Sequence, residues 1–211
     1  LDELGLEEAG DIMRRAHELA PDNRMIAANL RLQRSGKSPM WHFSMMNDAM
    51  RNAGYEAAIC RALRPHDRVL DIGCGKGAFT HLLKKKNNSV LGVDISKTAI
   101  RKARAKYPHI DFRALAAEDI LSLRKKYDLV VAMEILSYLK TWPAVIEKIS
   151  RMTEYLFISL YLPPDPIGFV KSFQELSETI EKHFTVIVKI LDQTGSDMLI
   201  LAKSTYRRKK K

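Results

Sequence analysis

An apolar run that ends in an acid and opens into alternating glycines, "VLDIGCGKG" (69–77), constrains this chain more than any other stretch. The run has the character of a buried strand. Gly73, Gly75 and Gly77 then form a loop whose bare backbone can lie against a ligand. A phosphate-cradling loop needs G-x-x-x-x-G-K-[ST], but Lys76 is followed by Gly77 and that spacing is absent. A dinucleotide fingerprint needs G-x-G-x-x-G, and here the third glycine comes one position early. The loop therefore suits a ligand that needs close backbone approach but carries no pyrophosphate.

The surroundings support that reading. From residue 67 onward, apolar runs alternate with helical patterns. Strands are predicted near 68–72, 89–94, 109–113, 127–132, 155–161, 184–191 and 197–202. Helices are predicted near 77–85, 96–106, 117–124, 142–151 and 171–182. Such alternation implies an α/β fold with a mostly parallel sheet covered on both faces. Only "DQTGSD" (192–197) separates the last two strands, so they should form an antiparallel hairpin at the sheet edge. Asp94 ends the second strand in "VLGVD", where an acid can accept hydrogen bonds from both hydroxyls of a ribose. Ile95 follows and can pack on an adenine. The fourth strand ends in "VVAMEIL", at the sheet edge where open α/β folds bind ligands.

With these motifs in place, residues 67–202 resemble the class I S-adenosylmethionine-dependent methyltransferases. "VLDIGCGKG" resembles their first motif, "GVDIS" the second, and "YDLVVAMEILSYL" the stretch around the fourth strand. The resemblance implies a Rossmann-like, doubly wound, seven-stranded sheet, a transferase activity, and S-adenosyl-L-methionine as cofactor. It implies that Asp71, Gly73 and Gly75, with the Cys74 backbone between them, line the methionyl end. Asp94 would hold the ribose, Ile95 flank the adenine, and Met133 contact the donor through its backbone. Many members carry an adenine-binding acid where "LAAEDI" (115–120) has Ala116. Glu118 or Asp119 can substitute, or the Ala117 backbone can serve alone. Alternatively, the two acids simply open a helix and offset its dipole.

A second resemblance lies in "WHFSMMNDAMRNAGY" (41–55), which is similar to the helix before the cofactor domain of protein arginine methyltransferases. The matching residues are His42, Met45, Met46, Asp48, Arg51 and Tyr55. The resemblance places Arg51 on the cofactor carboxylate, a role suited to a bidentate guanidinium. It stops there. That family grips its acceptor with two glutamates, whereas Glu134 has no second glutamate until Glu147, and where that family continues into a β-barrel only the residues up to 211 stand after the last expected strand. The [DNS]-P-P-[FYW] motif of nucleic-acid amino-methyltransferases is replaced by "AMEI". "EILSYL" and "ISLYLPP" resemble small-molecule enzymes of the nodulation S type, which methylate an amine. The expected acceptor is a small molecule methylated on N or O. A protein arginine-type acceptor and a non-catalytic cofactor-binding scaffold are the alternatives. Candidate catalytic residues are Glu134, Tyr138 and His42. The stiff "LPPDPIG" loop (162–168), with Tyr161 and Phe169, should wall the acceptor pocket. No Cys/His cluster has metal-ligand spacing, so no metal is expected.

Ahead of this domain, "AHELAPDN" and "AANLRLQRSGK" resemble one tetratricopeptide unit. The expected organisation is a helical hairpin over 1–36, which could meet a protein partner, then a cofactor-covering helix within 37–66. The methyltransferase domain follows over 67–204, and a basic tail over 205–211. The 211 residues carry a net charge of +10, and five of those charges stand in the last five residues. A solvated tail accounts for them without a nucleic-acid partner. No apolar run approaches the ~18 residues of a membrane span. Two cysteines, one of them inside the glycine loop, fit a reducing, cytoplasmic setting. The chain opens on Leu1, as a piece of a longer protein would.

Overall fold

The computed structural model describes Glu18, Ile59 and residues 63–166, 168–191 and 195–206. All but Glu18 lie in the second of two units, Gly54–Lys211. The expected N-terminal hairpin, the 41–55 helix with His42 and Arg51, and the last five basic residues lie outside the described residues.

The described chain alternates strands and helices in the expected order. These are β1 (Arg68–Ile72), α1 (Ala78–Leu83), β2 (Ser89–Asp94), α2 (Lys97–Lys106), β3 (Asp111–Ala114), a 3-10 helix (Ala117–Leu123) and β4 (Tyr127–Met133). After a 3-10 turn (Leu136–Tyr138) come α3 (Trp142–Met152), β5 (Thr153–Tyr161), α4 (Phe173–Glu181), β6 (Phe184–Leu191) and β7 (Asp197–Ser204). The seven strands run in the order β3-β2-β1-β4-β5-β7-β6. β1 to β5 are parallel, while β7 is antiparallel to both neighbours.

The C-terminal hairpin forms as expected, and its later strand takes the inner place. Met198, Ile200 and Ala202 of β7 are buried and Leu199 and Leu201 are half-buried, so this strand is apolar on both faces. Such a strand belongs inside a sheet. β6 is left as the edge, with Ile187, Val188, Ile190 and Leu191 exposed and a register shift between Val186 and Val188.

One expected helix takes a different form. Residues 117–123 wind as a 3-10 helix, closed by Asp119 N–H donating to the Ala116 carbonyl at 3.0 Å and Arg124 N–H to Leu121 at 3.1 Å. The residues that must face the core are Ala117, Ile120 and Leu123, three apart. A turn of three residues stacks all of them in one line, whereas an α-helix would spread them over roughly 120°.

Two cores cover the sheet. On one face Leu70, Val130, Ile158 and Ile200 pack with Ile146 and Ile149 of α3 and Leu176 and Ile180 of α4. On the other, Val69, Val131 and Phe157 pack with Leu83, Ile100, Ala103 and Ile59. Phe112 of β3 belongs to this second core and is fully buried. Its ring fills space that two glycines leave. A Cβ on Gly92 or on Gly77 would come within 2.6 Å of it. Phe112→Ala should therefore cost about 3–5 kcal/mol, the usual range for emptying a buried phenylalanine site. Urea unfolding followed by circular dichroism measures it, and a loss below ~1 kcal/mol would contradict this packing.

Candidate cofactor-binding site

The chain leaves β1 toward β2 and β3 on one side, then returns to place β4 on the other. This reversal opens a crevice at the carboxyl ends of the strands, where open α/β sheets hold their ligands. The glycine loop sits there. Gly73 and Cys74 both donate their N–H to the Val93 carbonyl, at 2.8 and 3.1 Å. Gly77 N–H closes a turn onto the Cys74 carbonyl at 2.9 Å.

The three glycines serve different ends. Each has positive φ, at 77°, 54° and 79°. A Cβ on Gly73 would strike Ile135 at 2.9 Å, so that glycine lets the chain after β4 press on the loop. Gly77 gives way to Phe112 and begins α1. Around Gly75 nothing lies within 4 Å of the Cβ position. Its bare backbone faces open space.

Beside that opening stands Asp94. Its Oδ2 accepts the Gly75 N–H at 2.9 Å and its Oδ1 the Ser96 N–H at 2.8 Å. Each oxygen keeps a further lone pair for a ligand hydroxyl. Ile95, next along, is 76% exposed, an apolar side chain held in water at the sheet edge.

Asp71 turns the other way. It is buried beneath the loop, where Thr80 Oγ1 donates to its Oδ2 at 2.6 Å. Burial pushes its carboxyl up from 3.8 to about 6; the Thr80 hydrogen bond opposes this and the neighbouring Asp94 charge adds to it. Nothing in the sequence pattern announced the Thr80 contact, which joins β1 to α1. Cys74 is buried too, and desolvation raises its thiol well above the ordinary range, so it packs rather than reacts.

Around the crevice, Ala117 is buried, while the Glu118 carboxylate accepts from Thr141 Oγ1 at 3.2 Å and Asp119 is exposed. Met133 is half-buried at the end of β4. Glu134 follows with φ of 56°, a conformation that side chains other than glycine rarely take. Its Oε1 accepts from Ser159 Oγ at 3.1 Å and its Oε2 from Tyr161 N–H at 2.8 Å, tying this loop to β5. Tyr138 is 39% exposed, and burial with the nearby Glu134 charge pushes its phenol upward. The segment after β5 docks on the same loop. Phe169 N–H donates to the Ser137 carbonyl at 2.8 Å, and any Cβ on Gly168 would meet that oxygen at 2.6 Å. Phe169, itself 41% exposed, is thereby held on the loop that carries Tyr138.

Comparison with known proteins agrees with this geometry. A family model described as a methyltransferase domain matches residues 69–154. Over those residues the chain is a methyltransferase domain. Ubiquinone biosynthesis O-methyltransferase of Chelativorans sp. (strain BNC1) is 35% identical over 98 residues, 44% of this chain and 39% of that one. Protein arginine N-methyltransferase 9 of Mus musculus is 37% identical over 94 residues, 44% of this chain and 11% of that one. The chain thus spans well under half the length of these curated relatives. In fold, the domain is similar to the N-methyltransferase NodS from Bradyrhizobium japonicum WM9. The TM-score is 0.62 at 19% identity, covering 75% of this chain and 98% of that one.

The methyltransferase domain fits its family's cofactor. The open face of Gly75, the spare lone pairs of Asp94 and the exposed Ile95 match a nucleoside whose link to its amino-acid end carries no phosphate. Two outcomes follow from the loop. Gly77→Ala meets both positive φ and Phe112, and should lower stability by about 1–3 kcal/mol in urea unfolding. An unchanged midpoint would show that the loop relaxes freely.

The second concerns Asp71. Its folded pKa lies above its unfolded one, so between about pH 4 and 6 the native state binds the extra proton and stability falls as pH rises. Above that window the burial cost is complete, at most about 3 kcal/mol. Asp71→Asn removes the titration. Its stability relative to the parent should rise across pH 4 to 6 and level off above; a difference flat with pH would refute the assignment.

Proposed function

We propose that this chain transfers a methyl group from S-adenosyl-L-methionine to a nitrogen or oxygen of a small-molecule acceptor. The observation that carries this reading is the open backbone of Gly75, bordered by Asp94 and Ile95 and set beside the loop that bears Tyr138. Bound at that crevice, S-adenosylmethionine supplies an already activated methyl group. The protein's task is then position and water exclusion. In this reading Gly73, Cys74, Gly75 and Met133 present backbone to the methionyl part, and Asp71 braces the loop from below. Asp94 holds the ribose, while Ile95, Ala117 and Glu118 border the adenine. Arg51, on the segment before the domain, takes the cofactor carboxylate.

On the acceptor side, Tyr138 and Phe169 form aromatic walls. The raised Tyr138 phenol keeps its proton at neutral pH, so it donates a hydrogen bond rather than acting as a base. Glu134 holds the loop on β5 and is the proposed group to steer an acceptor proton. His42 is the remaining candidate for proton transfer. The unit ahead of the domain is the proposed place for a protein partner.

A protein arginine acceptor is the second reading. It is favoured by the 37% identity with the mouse arginine methyltransferase and by the pattern of residues 41–55. It is weakened by the absence of a second glutamate near Glu134.

Asp94→Ala should weaken S-adenosylhomocysteine binding by about 1.5–3 kcal/mol in isothermal calorimetry, the usual worth of hydrogen bonds to a charged group. Unchanged affinity would remove Asp94 from the ribose, and binding by the parent protein without turnover of any acceptor would favour the cofactor-binding scaffold. Release of S-adenosylhomocysteine with simple amines and phenols, set against an arginine-rich peptide, separates the two acceptor readings. The proposal expects turnover with the small molecules and none with the peptide.

A further inference from the structure

The positive charge of this protein is not mainly in its tail. Residues 76–110 hold nine lysines and arginines against one acid, Asp94, a net of +8 out of the chain's +10. The last five residues add +5, so all the rest of the chain nets −3. That segment folds as α1, β2 and α2, two helices side by side on one face of the sheet.

In α2, Ile100 and Ala103 face the core, which turns Lys97, Arg101, Lys102 and Lys106 outward. Lys86, just past α1, is exposed as well. Among the described residues none of these five cations pairs with a carboxylate. Arg104 is different: its guanidinium donates twice to the Phe112 carbonyl and is spent on structure.

Where the two helices end, three rings gather. His81 of α1 stacks on Tyr107 at 4.6 Å between centroids, with planes 16° apart, and meets His109 edge-on at 5.7 Å. The Lys106 ammonium lies 5.3 Å from the centre of the Tyr107 ring. His81 and His109 are exposed. Parallel βα units send their helices back toward the amino ends of the strands. The ring cluster therefore lies at the edge of the sheet opposite the cofactor crevice.

We propose that this α1–α2 face binds single-stranded nucleic acid. Lys86, Arg101, Lys102 and Lys106 meet phosphates, and the His81–Tyr107–His109 cluster offers ring faces to unstacked bases. Cations beside exposed flat rings are the chemistry that holds a single strand. A lipid surface would favour apolar side chains that insert, and among the described residues of 76–110 the only exposed large one is Ile95, at the other edge. The expectation that nucleic acid is no partner assigned the charge to the tail, and the count along the chain removes that ground.

The test is fluorescence anisotropy of the full chain with a labelled, mixed-sequence RNA of about 20 nucleotides, long enough for one such groove. Four phosphate contacts should give an affinity that falls with a log–log salt slope of about −3. The charge reversals Lys86→Glu, Lys102→Glu and Lys106→Glu together should weaken binding by a factor on the order of 100 and flatten the slope. His81→Ala with His109→Ala should weaken it about tenfold and leave the slope unchanged. Both sets lie on the surface, and an unaltered melting temperature checks the fold. Deleting residues 207–211 should leave both losses in place. The proposal fails if the parent chain does not bind, or if the reversals change nothing. It also fails if tail removal alone abolishes binding, or if duplex RNA or phosphatidylserine vesicles compete as well as the single strand. None of these readouts needs methyl transfer, so the result stands apart from the fate of the catalytic reading.

Discussion

The whole arrangement leans on the burial of one ring. Phe112 enters from β3 and lies under the glycine loop and against β2, in space left by Gly77 and Gly92. Because the ring is there, the loop can lie flat across the end of β2, with Gly73 and Cys74 sharing the Val93 carbonyl. That flat loop brings the Gly75 N–H to the Asp94 carboxylate. The geometry of the crevice is thus set by packing beneath it, and the polar contacts follow.

Electrostatics add a second layer with opposite signs at the two edges. Near the crevice, Asp94 and Glu134 accept hydrogen bonds from backbone N–H groups, and Asp71 accepts one from the Thr80 hydroxyl. At the far edge Lys86, Arg101, Lys102 and Lys106 have no carboxylate partner among the described residues. A cationic donor and a polyanion would therefore approach different sides of the same domain, each drawn by local field rather than by net charge.

Much of this was legible in the residues. The alternating strands and helices of the parallel part, the glycine loop and the place of Asp94 at a strand end all follow from patterns of local spacing. What the pattern could not give depends on contacts between distant residues. Ala117, Ile120 and Leu123 read equally as an α-helix, and only the sheet above them selects a three-residue turn. β7 took the inner place because its two apolar faces needed covering, which hairpin spacing alone does not reveal. Asp71 matched a ligand-lining motif and yet its carboxylate turned into the interior, toward a threonine nine residues later. Glu134 looked like a free acid after a strand, whereas both its oxygens are engaged by β5.

The close approach of Gly168 to Ser137 has a consequence for how such a site can diversify. The segment after β5 and the turn after β4 touch backbone to backbone, with Phe169 N–H bonded across the junction. Neither can lengthen or shorten without unseating the other. The two walls of the crevice therefore behave as one inherited unit. A lineage that changes what it accepts must either alter both segments together or keep the junction and exchange only the side chains that project from it.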